Sequence, residues 1–295
     1  TVLSYSYTNN GSSDDTLDYD FNKFETSNEQ FIYKTFRAAT MLNTKLDARN
    51  VLRLGVVYSN YDYKLFSEKY SYLNQQVETQ VSNKGNTSLL QAYTQWKHRF
   101  NEAFQLNTGV HFLFSFLNNK FYIEPRISAE YRITEKQSLS FGTGLHSRID
   151  AVSTYVSYSA YYNRNLDFSR ALHAVAGYNF NFYKDFRLKT EIYFQYLFSV
   201  PIGADSTSRS FSIVNYNDGF VNIPLRSRGT GYNYGLELTL EKYFSKNYFF
   251  MFTTSLFNSK YKAADGVLRN TAYNVNYVLN ALGGKEFVVG KKKNN

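Results

Sequence analysis

The sequence predicts an all-β chain, the wall of a transmembrane antiparallel β-barrel. Three observations carry that prediction: strict two-residue alternation, strands longer than a globular sheet uses, and connections that alternate short and long. The alternation is clearest from Phe104 to Phe116. Phe104, Leu106, Thr108, Val110, Phe112, Phe114 and Phe116 share one face, and Gln105, Asn107, Gly109, His111, Leu113 and Ser115 share the other. Phe186 to Phe198 repeats the pattern, with Leu188, Ile192, Phe194 and Tyr196 opposed by Arg187, Lys189, Glu191 and Gln195. Tyr232 to Leu240 and Ile123 to Ile133 do the same, the latter setting Ile123, Ile127, Ala129, Tyr131 and Ile133 against Glu124, Arg126, Ser128, Glu130 and Arg132. Such patterning places one face of each strand in an apolar medium.

Length decides which medium. The expected strands run about 11 to 14 residues, against about 5 or 6 in globular sheets and about 9 to 11 for tilted transmembrane strands. Arg, Lys and Glu stand mid-strand on the polar faces. A dry sandwich core would leave those charges unpaired, whereas a wet lumen accepts them.

Composition agrees. Aromatic residues make up 19% of the 295, with 28 Tyr and 26 Phe, while Pro is 3 and Cys 0. Aromatics suit a pleated surface, and Pro would break its ladder. No apolar run approaches the roughly 18 residues of a membrane helix, so a lipid-spanning chain must cross with strands. The net charge is +9, yet Lys and Arg are spread along the strands and the tight run is Lys291–Lys293. That spread argues against nucleic acid as a partner.

In order, the expected strands are 1–9, 31–45, 50–65, 87–100, 104–117, 121–133, 137–147, 171–182, 186–199, 230–244, 247–261 and 273–289. Short turns fall at 47–50, 101–102, 134–136, 183–185 and 245–246. Long connections fall at 10–30, 66–86, 148–170, 200–229 and 262–272, with one tight hairpin at 118–120. Outer-membrane barrels alternate in this way, with short periplasmic turns and longer outside loops. Tyr131, Tyr178, Phe180, Phe182, Tyr243, Phe244 and Tyr248 gather at strand ends, where an aromatic girdle belongs. The chain starts within a strand and ends on Lys291–Asn295 with no closing strand. A single partial barrel domain over 1–295 is therefore expected.

Candidate chemistry is sparse. His98 shares the Trp96 and Phe100 face and reads as interfacial. His111, His146 and His173 lie on polar faces and read as hydrogen-bonded lumen histidines rather than a metal site. His146, Ser147 and Asp150 raise a hydrolase triad, but no oxyanion hole accompanies them. Ser12–Asp20 collects four Asp, which reads as a solvated acidic loop before a Ca²⁺ site. No cofactor, metal or enzyme activity is expected. Two loops instead suggest ligand contact: Tyr155, Tyr158, Tyr161 and Tyr162 in one, and Phe211, Tyr216 and Phe220 in the next, close enough to form an aromatic entry surface.

From Arg170 onward the sequence resembles a known family. The motifs are Arg170–Tyr178 (RALHAVAGY), Leu188–Tyr196 (LKTEIYFQY), Val200-Pro-Ile202, Gly229–Lys242 (GTGYNYGLELTLEK), Phe252–Tyr261 (FTTSLFNSKY), Asp265–Thr271 (DGVLRNT), Asn276–Asn280 and Gly283–Phe287. In this order they resemble the barrel of TonB-dependent outer-membrane receptors, in the branch with an N-terminal carboxypeptidase-regulatory-like domain. The resemblance implies a plugged barrel of about 22 strands in the outer membrane of a Gram-negative bacterium. It also implies import of a scarce nutrient with energy delivered by the TonB complex through a plug domain that this sequence lacks. Outer-membrane lipid, a surface lipoprotein, and an extracellular small ligand, glycan or peptide are the partners it suggests. The rival expectations are a passive porin-like channel of about twelve strands and a membrane-embedded hydrolase.

Overall fold

The computed structural model describes residues 1–157, 163–216, 220–287 and 290. Thirteen antiparallel strands form one sheet: β1 (Val2–Leu17), β2 (Lys23–Lys45), β3 (Asn50–Ser71), β4 (Gln76–Arg99), β5 (Phe104–Ser115), β6 (Lys120–Thr134), β7 (Gln137–Arg148), β8 (Ser169–Tyr183), β9 (Phe186–Gly203), β10 (Leu225–Ser245), β11 (Tyr248–Lys262), β12 (Leu268–Asn270) and β13 (Tyr277–Lys285). A short helix α1 (Val152–Val156) lies between β7 and β8. Each strand pairs with its successor up to β11. β12 and β13 both pair with β11 at different heights and share one lane, so thirteen strands fill the twelve lanes expected.

The short turns sit where the alternation broke off. The tightest joins β10 to β11: Ser245 pairs with Tyr248, and Lys246 and Asn247 take φ of 52° and 66°. Positive φ at both central residues is the hairpin turn whose twist matches the flanking strands.

Two expected loops are strand instead. The connections 10–30 and 66–86 are largely hairpin, turning only between Leu17 and Lys23 and between Ser71 and Gln76. β2, β3 and β4 reach 23, 22 and 24 residues. The physical reason is an inversion of faces partway up each strand. In β3 the outward row runs Leu52, Leu54, Val56, Tyr58 and then Asn60, Asp62, Lys64; the inward row runs Arg53, Gly55, Val57, Ser59 and then Tyr61, Tyr63, Leu65. β4 mirrors it, passing outward from Trp96, Thr94, Ala92 and Leu90 to Ser88, Asn86 and Lys84. The outward apolar stretch corresponds to the about 9–11 tilted residues that cross hydrocarbon. Beyond it the strands continue in water, with apolar side chains facing inward as in a soluble sheet.

Those inward rows are covered. Tyr63, Leu65, Val81, Leu89, Leu113, Leu117 and Tyr122 pack with α1 and with Leu166, Phe168, Phe220, Val221 and Leu225 in one buried cluster. The described parts of the segments 149–168 and 204–224 therefore fold back over the inner face at the long-loop end. At the short-turn end, rings line the outer surface: Phe100 meets Phe104 at 5.2 Å, Phe180 meets Phe182 at 5.7 Å, and Phe186 meets both Phe182 and Phe250. His98 joins this end, its Nδ1 2.7 Å from Asn50 Oδ1 and its ring 4.4 Å from Phe100.

Candidate functional site: the loop-covered inner face

The loop between β7 and β8 is anchored by Tyr155. Its ring is fully buried, edge-on to Phe168 at 6.4 Å, and its hydroxyl accepts from the Asp150 backbone N–H at 3.4 Å. Burial pushes the Tyr155 hydroxyl and the Asp150 carboxyl above their ordinary ranges. Arg148 and the Ser169 hydroxyl hold Asp150 by hydrogen bonds of 3.1 and 2.9 Å and oppose its shift. Val156 adds a second tie, its carbonyl accepting from Asn83 on β4 at 3.1 Å.

The loop between β9 and β10 spans a larger distance. Phe220 is buried and stacks on Phe31 of β2, with centroids 4.2 Å apart and planes within 8°. Asn163 Nδ2 donates to the Ile223 carbonyl, and its Oδ1 accepts from Leu225 N at 2.8 Å, which joins the two loops directly. Phe211 and Tyr216 are partly buried, 5.3 Å apart, and pack against the same cluster. Asp265 and Arg269 brace the next loop by a two-fold contact of 2.9 and 2.5 Å, and Asp265 N donates to the Arg209 carbonyl.

Of the aromatic residues expected to receive a ligand, the structure brings Tyr155, Phe211, Tyr216 and Phe220 into one cluster. Tyr155 and Phe220 are interior to it, holding the loops rather than facing solvent. Tyr158, Tyr161 and Tyr162 lie outside the described residues.

Below the cluster, the inner face carries polar residues that run across the strands. Glu124 on β6 is 1% exposed. Its Oε1 accepts from Ser147 N at 2.6 Å, and its Oε2 from His111 Nδ1 at 2.8 Å and Arg126 Nη2 at 2.7 Å. The backbone ladder between β6 and β7 stops at Arg126 and Gly144, so this carboxylate bridges the seam above it. A second chain runs from His173 through Gln195 and Asn233 to Ser259 and Thr271. Sequence reading assigned His111, Glu124, Arg126, His173, Gln195 and Asn233 to the polar faces. It could not see that registers bring them to one height.

The acidic segment is spent on its own hairpin: Asp15 pairs with Lys23 at 2.6 Å, Asp14 accepts from Ser27, and Asp18 accepts from the backbone N–H groups of Asp20 and Asn22. Asp18 is held below its usual range by the Asn22 hydrogen bonds. Among the described residues no group of three His, Asp or Glu has metal-holding geometry. Asp150 is bonded to Arg148 and Ser169, and His146 stacks on His173 with centroids 4.3 Å apart. Asp150 and His146 of the suggested triad thus take other partners.

No family model and no curated protein sequence matches the chain. Solved structures do. The ferric-catecholate import receptor Fiu of E. coli K12 is similar with a TM-score of 0.67 at 9% identity, over 95% of this chain and 48% of that one. The copper transporter OprC is similar with a TM-score of 0.61 at 12% identity, over 90% and 43%. The siderophore receptor PirA of Pseudomonas aeruginosa is similar with a TM-score of 0.58 at 12% identity, over 88% and 51%. The chain spans about half the length of these structures. It has the fold of the outer-membrane β-barrel of TonB-dependent receptors, over their barrel portion.

Proposed function

We propose that the chain is a single partial barrel domain of an outer-membrane receptor that imports a scarce ligand into a Gram-negative cell. A plug domain and further strands would come from elsewhere in the protein, and TonB would act through that plug. The observation that carries this reading is the pair of long loops folded onto the inner face, tied to β2, β4 and each other. An open passive channel has no use for a bulky apolar cluster on its inner face. A receptor that must hold and then release a ligand does.

In this reading the long-loop end faces outside, and Phe211 and Tyr216 with Tyr158, Tyr161 and Tyr162 make first contact with the ligand, held in place by Tyr155 and Phe220. The similar structures are named for copper, siderophore and ferric-catecholate handling, which supports a chelated metal as the first ligand class to assay. A surface lipoprotein, or a glycan or peptide ligand, fits the same rim. The experiment is uptake by cells carrying the full-length protein. Accumulation of ferric siderophore or copper should require TonB and fall about tenfold when Phe211 and Tyr216 become Ala. TonB-independent leakage of small hydrophilic solutes would favour the passive channel.

A further inference from the structure

The inner wall of β4–β8 holds a cleft of about 560 Å³ directly below the apolar cluster. Its floor is low because the two strands flanking β6 present glycine there: on β5 Gly109 opposite Arg126, and on β7 Gly144 also opposite Arg126 and Gly142 opposite Ser128. Arg126, His111, His146 and His173 rise from the wall, and no carboxylate lines the cleft among the described residues. Glu124, next to Arg126 on the same row, is buried, with its oxygens engaged by Ser147, His111 and Arg126. It fixes the guanidinium through one nitrogen and leaves 45% of that side chain open. Arginine has five N–H donors and no acceptor, so a pinned but open guanidinium is a ready partner for a second anion. His146 and His173 add imidazole N–H donors beside it.

We propose that this cleft binds an oxyanion, the carboxylate or phosphate group of a ligand. The assignment deepens the import reading by naming the chemistry its ligand would carry. A metal ion fits the histidines poorly. Their rings lie tilted against each other, 4.3 Å apart, no third ligating residue joins them among the described residues, and Arg126 would repel a cation.

Asn107 lines the same cleft and contacts Ser128 at 3.4 Å. Asn107→Asp therefore adds a negative charge with almost no change in volume. The test titrates the full-length receptor in detergent micelles with inorganic phosphate and, separately, with citrate, using calorimetry. Saturable binding of at least one is expected, and the stronger arm tells phosphate from carboxylate. Affinity should fall about tenfold or more in both Asn107→Asp and Arg126→Gln. Should Arg126→Gln fail to fold, the isosteric variant still decides. Absence of saturable binding of both anions to the parent protein, or unchanged affinity in Asn107→Asp, overturns the assignment. Binding is read without transport. A cleft that binds in a protein that imports nothing leaves this assignment standing while the receptor reading falls, and import without anion binding does the reverse.

Discussion

Lys242 shows how one side chain can close a strand end. It is 2% exposed although it is a lysine. Its ammonium donates to the carbonyls of Tyr243, Ser245 and Tyr248 and to the Ser245 hydroxyl, and lies 3.7 Å over the Tyr248 ring. The register between β10 and β11 slips here, and the ammonium supplies the donors that the broken ladder lacks. Lys242→Met keeps the apolar stem and removes the donors, so it should cost about 1–3 kcal/mol, read as a lower urea midpoint. Asp265 offers a test by pH. Its contacts with Arg269 depress its carboxyl to about 2 from the usual 3.8. The folded value is the lower one, so the stabilisation is complete above about 4 and is lost as pH falls from there toward 2. Hydrogen exchange in the 263–267 loop should quicken over that window, and Asp265→Asn should remove the dependence.

At the scale of the strand, which row faces lipid matters more than how apolar a residue is. Ile192 and Val175 are both aliphatic and both exposed on the sheet. Ile192 is on the outward row of β9 with Phe194 and Tyr196, whereas Val175 is on the inward row of β8 with His173 and opposite Tyr193. Arg at Ile192 should therefore destabilise by about 2–4 kcal/mol, and Arg at Val175 should be tolerated. Refolding titrations into lipid vesicles measure both, and equal penalties would mean that both faces are dry. The extended β2–β4 obey the same logic with the media exchanged. Past Tyr58 the outward partner is water, so Asn60 and Asn86 bond each other across β3 and β4 at 2.8 and 2.9 Å.

Across the whole molecule, the loop carrying Phe220 acts as a strap between strands far apart in sequence. The Phe31–Phe220 stack and the Asn222–Gln80 hydrogen bond are its distal fastenings. Phe220→Ala should release the distal end while leaving the membrane belt paired. The check is protease cleavage within 204–224 on intact cells at unchanged heat-modifiable migration of the barrel. The sheet itself stays open: among the described residues, β1 and β13 have no strand on their outer edges. Unpaired edges recruit other edges. The 295-residue chain alone should accordingly associate in detergent, and a heat-resistant monomer with single-channel conductance would point to self-closure.

The alternation of Phe104–Phe116 and Phe186–Phe198, the short turns, and the aromatic strand ends were legible in the sequence, because each depends on residues one, two or a few positions apart. That local information settles strand, turn and fold class. It also placed Phe211 and Tyr216 in a loop near the one carrying Tyr155. Height and contact could not be read this way. Lys84 and Asn86 look like loop when hydrocarbon is assumed outside, and become strand once Tyr63, Leu65 and Val81 are seen to be covered from within. Tyr155 looks like an exposed ligand contact until Phe168 and α1 enclose it. Glu124, Arg126, His146 and His173 come together through strand register and a seam between β6 and β7. The sequence by itself determined the period of two that makes this a barrel wall. Only the tertiary structure decided which medium each row meets, because that depends on distant segments folding over it.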